Sequence, residues 1–322
     1  MRTEITHWEE GEMRLGPHLW GVVLSGGEGV RLKALARRIC GDERPKQYVP
    51  IFGNRTLLRQ TLDRVALRIR SFQTAVVTLR SHSRFFVEPW AGPEPPRVLI
   101  QPTDRGTAAG ILFPIHWVAR QDPDAIVAVF PSDHFVSEPA TFMALVARIA
   151  AWVREHPARL VLLGAHPTGP EVEYGWIELG SPLDSTDDPQ MWEVRRFWEK
   201  PSVERARLCL EAGCLWNTFV LVGTATMFLR AAREAVPEVC ECLARAVPFF
   251  DTDAEAWAQA YALIPRADFS RAILEPCPPF LAVAPVPRLM WSDLGSPRRV
   301  FEILRVDRSL PAWVVAPDRS AS

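Results

Sequence analysis

The stretch on which the rest of the chain is organised is residues 20–47, which read WGVVLSGGEGVRLKALARRICGDERPKQ. Its first five residues, 20–24, are apolar and partly β-branched, a pattern that predicts a short buried strand. Three glycines follow within four residues: Gly26, Gly27 and Gly29. Because glycine has no Cβ atom, the backbone of such a turn can approach a ligand closely, and its consecutive N–H groups can form a concavity that binds anions.

Two cations accompany this loop. Arg31 carries a forked guanidinium suited to phosphate oxygens, and Lys46 adds a second positive charge a short distance on. The combination is typical of a polyphosphate cradle, although a glycine-rich turn after a strand is about as often only a tight connection. The loop is not a Walker A loop, because no Gly-Lys-Ser/Thr follows the glycines. It is not a dinucleotide fingerprint either, because the G-x-G-x-x-G spacing is absent.

Strands and helices alternate through the first half of the chain. Apolar runs predict strands at residues 19–24, 74–79, 97–101, 125–130 and 159–164, and helical spacing predicts helices at 56–65, 107–120 and 139–155. Such alternation favours an α/β fold with an open, doubly wound, mostly parallel sheet flanked by helices. The loops that follow its strands then share one edge of the sheet, so we expect them to line one crevice. Further strands at 174–179, 192–200 and 215–222 predict a smaller β-rich part in the second half.

Composition limits the class of protein. The chain has 322 residues, enough for one large domain or two modest ones. A formal net charge of −1 gives no electrostatic argument for a nucleic acid or a membrane as a partner. The N-terminal residues lack the apolar segment of a signal peptide, and no apolar run is long enough to span a membrane. The six cysteines are scattered, so we expect a reducing, cytoplasmic location.

Two carboxylates follow predicted strands. Asp133 ends the most hydrophobic strand, and Asp293 lies between Trp291 and Gly295 after another. A carboxylate at such a position can hold a hard cation such as Mg²⁺, whose other ligands are water and substrate phosphates. An Asp in a Ser-Asp-His turn is also often a helix cap, so the sequence leaves both roles open.

Polar groups in the second half could bind a sugar phosphate. Lys200 could contact the phosphate and Glu199 a sugar hydroxyl, but a charged strand end of this kind is more commonly an exposed surface. Asn217 stands in an apolar strand and could bind sugar hydroxyls or be a hydrogen-bonded amide of the core. No histidine shows metal-ligand spacing with His134, which we expect to be a hydrogen-bonding turn residue.

Taken in order, these segments resemble the sugar-1-phosphate nucleotidyltransferases, and most closely the branch that guanylylates mannose 1-phosphate. The matching segments are LSGGEGVRL at 24–32, PKQ at 45–47, QPTDRGTAAG at 101–110, FPSDH at 130–134, EYGWIE at 173–178, FWEKP at 197–201, WNTF at 216–219 and WSDLGS at 291–296. The resemblance implies a Rossmann-like, GT-A-like nucleotide-binding fold and Mg²⁺-assisted transfer of a nucleotidyl group, from GTP or another NTP, to a sugar 1-phosphate. It covers about residues 20–300, so we predict a catalytic domain at 19–300, an N-terminal arm at 1–18 and a C-terminal tail at 301–322.

The resemblance also implies roles for individual residues. The nucleotide would be bound by Leu24, Gly26, Gly27, Gly29, Arg31, Lys46, Gln101, Gly106 and Thr107, with Gln101 and Gly106 against the base. Arg31, Lys46 and Asp133 would be catalytic, and Asp133 and Asp293 would hold Mg²⁺. Gly175, Glu199 and Asn217 would line the sugar, and Lys200 would bind its phosphate.

The chain departs from the family pattern at three places. Val30 replaces a small hydroxyl residue before Arg31, Lys33–Ala34 replace a Leu/Trp–Pro pair, and Thr218–Phe219 replace Ser–Gly. Two alternatives therefore stay open: a thymidylyl- or uridylyltransferase acting on glucose 1-phosphate, and a non-catalytic homologue that binds a nucleotide sugar as a regulatory subunit. We expect no added isomerase-type domain and no β-helix of hexapeptide repeats, and a homodimer is possible.

Overall fold

A nine-stranded sheet forms the centre of the molecule. The computed structural model describes residues 18–86, 94–183, 189–306 and 311–315. The strands are β1 (Leu19–Ser25), β2 (Thr74–Leu79), β3 (Arg97–Gln101), β4 (Ile126–Pro131), β5 (Phe135–Val136), β6 (Leu160–Ala165), β7 (Gly175–Pro182), β8 (Trp192–Glu199), β9 (Leu215–Thr224), β10 (Leu281–Pro285) and β11 (Trp291–Ser292). The α-helices are α1 (Lys33–Cys40), α2 (Leu57–Val65), α3 (Gly106–Gln121), α4 (Pro139–Glu155), α5 (Val203–Glu211), α6 (Ala225–Ala235), α7 (Pro237–Ala246), α8 (Ala254–Ala262), α9 (Pro297–Val306) and α10 (Ala312–Val315).

The strand order is β3-β2-β1-β4-β9-β6-β10-β8-β7. The first four strands pair in parallel, as do β6 and β10. β9 is antiparallel to both β4 and β6, and β8 is antiparallel to both β10 and β7. The α/β class is confirmed, but the sheet is mixed, and the prediction of a mostly parallel sheet is wrong for the second half. A strand buried on both faces has the same continuous apolar run in either direction, so the sequence of β9 does not reveal its orientation.

Helices cover both faces of the sheet. Successive residues of a strand point to opposite faces, and in β1 Val22 packs with residues of α3, α6, α7 and α8, whereas Val23 packs with residues of α2 and α4. Burying both faces explains why β2, β4 and β6 consist almost wholly of buried residues. Because both faces are covered and β1 to β4 run in parallel, the loops after these strands share one open edge of the sheet.

The predicted β-rich part is a continuation of the same sheet. β7 pairs with both β8 and the beginning of β9, because the three strands meet at one edge. Tyr174, Trp176 and Trp216 pack there with Ala206 and Cys209 of α5 in a small separate core. This arrangement brings residues from three sequence segments beside one another.

Helix α9 closes the molecule next to the glycine loop. Its Val300, Ile303 and Leu304 pack with Leu32 and Leu35 around α1. The predicted boundary between domain and tail at residue 300 remains a prediction, but it falls inside this packed helix. Of the predicted arm at 1–18, residues 1–17 lie outside the described residues. Over the described ranges, no helix is both long and apolar enough to cross a membrane.

Candidate functional site

A cleft of about 530 Å³ opens at the carboxyl ends of β1 to β4. Seven of the residues that the sequence predicted to bind nucleotide or metal line it: Leu24, Gly26, Gly27, Gln101, Gly106, Thr107 and Asp133. A second cavity of about 270 Å³ is lined by Gly29, Val30, Arg31, Leu32, Lys46 and Gly295. Three of these, Gly29, Arg31 and Lys46, are the remaining nucleotide candidates. The glycine loop contributes to both cavities, so the predicted convergence of the post-strand loops is observed.

The glycine loop is held tightly against the turn that carries Lys46. Gly29 has φ +59°, and a Cβ atom placed on it would lie 2.8 Å from the backbone nitrogen of Lys46. Gln47 Nε2 donates hydrogen bonds to the carbonyl oxygens of Ser25 at 3.1 Å and Gly27 at 2.9 Å. Only glycine combines this positive φ with so close an approach to the backbone of Lys46. The loop and the turn that carries the lysine therefore form one local unit.

Lys46 joins the two acidic residues that the sequence singled out. Its Nζ lies 3.3 Å from Asp133 Oδ2 and donates a hydrogen bond of 2.5 Å to the carbonyl oxygen of Asp293. The lysine side chain is only 12% exposed. Asp133 and Asp293, which are far apart in sequence, therefore both contact the ammonium group of Lys46.

Asp293 keeps a negative charge in a partly buried setting. Burial opposes that charge, but the nearby charges of Lys46 and Arg299 outweigh it and hold the pKa of Asp293 below its ordinary value. Its Oδ1 accepts hydrogen bonds from Tyr174 Oη at 2.9 Å, from the backbone N–H of Gly295 at 2.8 Å and from Arg299 at 2.8 Å. The carboxylate is thus fixed in orientation as well as ionised.

The two carboxylates fit a hard divalent cation by their chemistry. Mg²⁺ prefers oxygen ligands and is usually held by one or two carboxylates together with water and substrate phosphates. The described residues contain no group of three or more acidic, histidine or cysteine side chains arranged for a metal. Such an ion would therefore depend on the phosphates of a substrate for its remaining ligands.

Arg299 is the group that the sequence analysis missed. It is 7% exposed and lies against three carboxylates, at 2.7 Å from Glu171, 3.2 Å from Glu173 and 2.8 Å from Asp293. Its guanidinium carbon also lies 4.4 Å from the centre of the Tyr174 ring. Burial opposes its charge, but the carboxylates outweigh burial and raise the pKa of Arg299. The signal in the sequence would have been an arginine shortly after the SDLGS segment.

Arg31 is paired within the described part of the chain. Its guanidinium donates to Glu173, which also contacts Arg299, so Glu173 lies between two arginines. The Arg31 side chain remains 53% exposed. An incoming phosphate group would compete with Glu173 for this guanidinium.

The sugar candidates form a second group beside the cleft. A Cβ atom on Gly175 would lie 3.0 Å from Glu199 Oε2 and 3.2 Å from Asn217 Cβ, so these three residues are neighbours. Lys200 Nζ lies 3.4 Å from Glu199 Oε1. Burial raises the pKa of Glu199, and the charge of Lys200 offsets only part of that effect. Tyr174 precedes Gly175 and contacts Asp293, which connects this group to the acidic pair.

Phe219 lines the large cleft and contacts Asn217 of the sugar group. Asn217 Oδ1 accepts a hydrogen bond from the backbone N–H of Phe219 at 3.0 Å. Phe219 has φ +58°, a conformation that costs a residue with a side chain about 1–2 kcal/mol, and it lines the large cleft. The departure at Thr218–Phe219 therefore places an aromatic ring at the wall of the site.

Gly106 and Thr107 position the wall of the cleft opposite the glycine loop. Gly106 has φ +83°, and a Cβ atom there would overlap the carbonyl oxygen of Ala267. Thr107 Oγ1 accepts a hydrogen bond from the backbone N–H of Phe269 at 2.7 Å. These contacts hold residues 266–268, which line the cleft, against the beginning of α3.

Gln101 lies at the end of β3 in the same cleft. It is buried, and its Oε1 accepts a hydrogen bond of 2.7 Å from Tyr261 Oη on α8. A Cβ atom on Gly26 would lie 3.3 Å from Gln101 Nε2, so the glycine leaves room for this amide. Tyr261 was not singled out from the sequence, because 160 residues separate it from Gln101.

The sequence matches a protein-family model described as nucleotidyl transferase over residues 20–309. It is 29% identical over 292 residues to the xanthan biosynthesis protein XanB of Xanthomonas campestris pv. campestris, covering 89% of this chain and 59% of that protein. It is 29% identical over 288 residues to a mannose-1-phosphate guanylyltransferase of Sinorhizobium fredii, covering 87% of this chain and 54% of that protein. The chain thus spans less than two thirds of the length of these curated relatives.

Solved structures share the fold. A protein described as mannose-1-phosphate geranyltransferase from Thermus thermophilus aligns with a TM-score of 0.75 and 28% identity, over 88% of this chain and 79% of that one. A protein described as mannose-6-phosphate isomerase from Helicobacter pylori aligns with a TM-score of 0.66 and 19% identity, over 85% of this chain and 99% of that one. At that identity the second likeness concerns the fold alone.

Proposed function

The chain belongs to the nucleotidyl transferase family, and we propose that it transfers the guanylyl group of GTP to mannose 1-phosphate. A phosphate oxygen of the sugar phosphate attacks the α-phosphorus of GTP and forms a new P–O bond. The bond from that phosphorus to the bridging oxygen breaks, so GDP-mannose and pyrophosphate are the products. The names of the relatives, among them mannose-1-phosphate guanylyltransferases, support this choice of substrates.

The observation that carries the proposal is the position of Lys46. It lies between Asp133 and Asp293 and directly beside the glycine loop. The reaction requires two polyanions to approach each other while negative charge develops on the leaving pyrophosphate. A largely buried ammonium, placed by the Asp133 carboxylate and the backbone carbonyl of Asp293, is well suited to binding that charge.

The proposed nucleotide site extends from the glycine loop to the wall formed by Gly106 and Thr107. Gly26, Gly27 and Gly29 offer backbone N–H groups to the triphosphate, and Arg31 adds a guanidinium once the phosphates displace Glu173. Leu24 and Gln101 lie along the same cleft, where the base and ribose would fit. The volume of about 530 Å³ is in the range of small-molecule sites.

The proposed sugar-phosphate site is the neighbouring group of Gly175, Glu199, Asn217 and Lys200. Glu199 and Asn217 would bind the sugar hydroxyls, and Lys200 would bind the phosphate. In-line attack requires this phosphate to face the α-phosphorus across the acidic pair. Tyr174, which touches Asp293 and precedes Gly175, supports such a relation between the two substrates.

Asp133 and Asp293 are the residues that we propose hold Mg²⁺. When bound, this ion would neutralise charge on the phosphates and favour departure of pyrophosphate. Arg299 and Tyr174 fix Asp293 for this role, and Lys46 keeps the local charge balanced before substrates arrive. All six cysteines are free, which is in keeping with the cytoplasmic location that we also propose.

One observation favours a second candidate, a non-catalytic protein that binds a nucleotide sugar. Phe219 lines the proposed nucleotide cleft beside Asn217 of the proposed sugar site. Such a ring could support product-like binding while hindering the approach of two substrates. This candidate predicts binding of GDP-mannose without turnover.

The test is pyrophosphate release measured across a grid of GTP, dTTP, UTP and ATP against mannose 1-phosphate and glucose 1-phosphate, with and without Mg²⁺. We expect the highest kcat/KM for GTP with mannose 1-phosphate. A maximum for dTTP or UTP with glucose 1-phosphate would support the thymidylyl- or uridylyltransferase alternative. No turnover in any cell of the grid, with tight binding of GDP-mannose, would support the non-catalytic candidate.

A further inference from the structure

The amide of Gln101 is held in one orientation at the cleft. Its Oε1 is occupied by the hydrogen bond from Tyr261 Oη at 2.7 Å. Its Nε2 lies near Gly26 and has no hydrogen-bond partner among the residues that the structure describes. The side chain therefore presents an N–H donor, and not its carbonyl oxygen, to the part of the cleft that the base would occupy.

Tyr261 is itself fixed by its surroundings. It is fully buried, and the rings of Trp257 and Phe113 lie 4.7 and 6.1 Å from it, centre to centre. Burial raises the pKa of Tyr261, so the phenol keeps its proton and can donate. Its hydroxyl has no second partner in the described part of the chain.

Reversal of the amide would be unfavourable. With Nε2 facing Tyr261, the phenol hydrogen would have no acceptor, and a buried unpaired donor costs more than one hydrogen bond contributes. One turn earlier on α8, Trp257 Nε1 donates to the carbonyl oxygen of Ile100 at 3.3 Å. Two bonds from one face of α8 thus fix the end of β3 and the side chain that it carries.

This inference rests on the proposed function: we propose that Tyr261 is a positioning residue that holds Gln101 Nε2 toward the base and thereby selects bases with an oxo group over bases with an amino group. Guanine O6 and thymine O4 are acceptors, whereas adenine N6 and cytosine N4 are donors. The fixed N–H donor of Gln101 pairs with an oxo group. Opposite an amino group it would leave two donors facing each other. The orientation of this donor therefore depends on α8, which contains none of the short segments quoted for the resemblance.

The test compares ITP with ATP, because the two purine nucleotides differ only at the six-position oxo or amino group and the neighbouring ring nitrogen. Affinities are measured by equilibrium titration, without sugar phosphate, and kcat/KM is measured with mannose 1-phosphate. For the unmodified protein we expect ITP to bind at least about tenfold more tightly than ATP. In Tyr261→Phe the ring packing remains but the hydroxyl is lost, and we expect this ratio to fall by about tenfold.

Tyr48→Phe is the matched control. Tyr48 is equally buried, and its hydroxyl hydrogen bonds with Ser25 and with Thr78, at 3.1 and 2.8 Å, without touching Gln101. Both variants lose a buried phenol hydroxyl, so both should melt at lower temperature. Only Tyr261→Phe should change the ratio of ITP to ATP affinity.

Substitutions of Gln101 separate positioning from a general structural effect. In Gln101→Leu the ratio should already be near one, and adding Tyr261→Phe should change it no further. Gln101→Glu presents an acceptor to the base, so the preference should move toward ATP. This variant also tests the inference if Tyr261→Phe does not fold.

These measurements distinguish an error about Tyr261 from an error about the proposed transferase activity. An unchanged ITP to ATP ratio in folded Tyr261→Phe, or an unmodified protein without preference, overturns the inference whether or not the enzyme turns over. A ratio that follows Tyr261 without pyrophosphate release supports the inference and overturns the proposed transferase activity. Failure to bind any nucleotide overturns both.

Discussion

Among single residues, Lys46 has the contacts on which the proposed chemistry depends most. Its side chain is only 12% exposed, its Nζ lies 3.3 Å from Asp133 Oδ2, and it donates to the backbone carbonyl of Asp293. An ammonium fixed before the reaction stabilises developing charge without reorganisation of the site. The residues around it serve this arrangement, since Gly29 and Gln47 hold its turn and Arg299 holds the second carboxylate.

Lys46→Met should lower kcat for GDP-mannose formation by a factor of about 10² or more, because one preorganised charge partner is lost. Steady-state kinetics with saturating GTP and mannose 1-phosphate measures this. Lys33→Met is the control, since Lys33 lies in α1 just after the same loop and lines neither cavity. Equal effects of the two substitutions would remove Lys46 from the proposed mechanism.

Arg299→Met should lower the apparent affinity for Mg²⁺ by about 10- to 100-fold, so that more Mg²⁺ is needed for half-maximal activity. This is the range for loss of a partner that orients a metal ligand. The reason is that Asp293 loses one of its three hydrogen-bond donors. Activity titrated against Mg²⁺ concentration is the measurement. Arg298→Met is the matched control, because Arg298 is adjacent but 74% exposed. A fall in thermal stability with an unchanged Mg²⁺ curve would make Arg299 structural only.

At the scale of helices and strands, the site depends on how α3 and α8 meet the end of β3. The beginning of α3 is joined to residues 266–269 by backbone bonds between Ala108 and Ala267 and between Ala267 and Arg105. Helix α8 adds the bonds from Trp257 and Tyr261. Two helices thus fix one wall of the cleft, so substitutions at their contacts should alter nucleotide binding as well as stability.

Gly106→Ala should destabilise the protein by more than about 2 kcal/mol and raise KM for GTP. The cost of a side chain at positive φ is about 1–2 kcal/mol, and the overlap with Ala267 adds to it. Gly41→Ala measures the cost of the positive φ alone, because Gly41 has φ +81° with nothing within 4 Å of the added Cβ. Urea unfolding of both variants gives the comparison. Equal losses of stability would mean that residue 267 moves away without cost.

The interface of α3 with α6 should make stability depend on pH. Burial, with a smaller contribution from the charge of Arg233, lowers the pKa of His116 from 6.5 to about 4. Between these values the unfolded chain binds the proton and the folded protein does not, so the free energy of unfolding falls as the pH drops from about 6.5 to about 4. Urea midpoints at pH 7.5 and pH 5 should differ less in His116→Leu. The same difference in both proteins would contradict a role for His116.

At the scale of the whole molecule, the sequence predicted the residues that follow strands better than those that support them. Gly26, Gly27 and Asp133 could be assigned to one crevice because each follows a strand whose apolar run is clear. The sequence could not assign Arg299, Tyr174 and Tyr261 to the site. Except for the pair of Arg299 with Asp293, their contacts join segments more than 100 residues distant in sequence. The direction of β9 was also hidden, because a strand buried on both faces over most of its length has no pattern that distinguishes parallel from antiparallel pairing.

The proposed transferase activity is tested most simply by identifying the products formed from GTP and mannose 1-phosphate with Mg²⁺ present. We predict GDP-mannose and pyrophosphate in equal amounts, and a rate about 10² or more lower in folded Asp133→Asn. A protein that binds GTP and mannose 1-phosphate but forms no GDP-mannose would contradict the proposed activity. An Asp133→Asn variant with a near-normal rate would contradict the proposed role of Asp133.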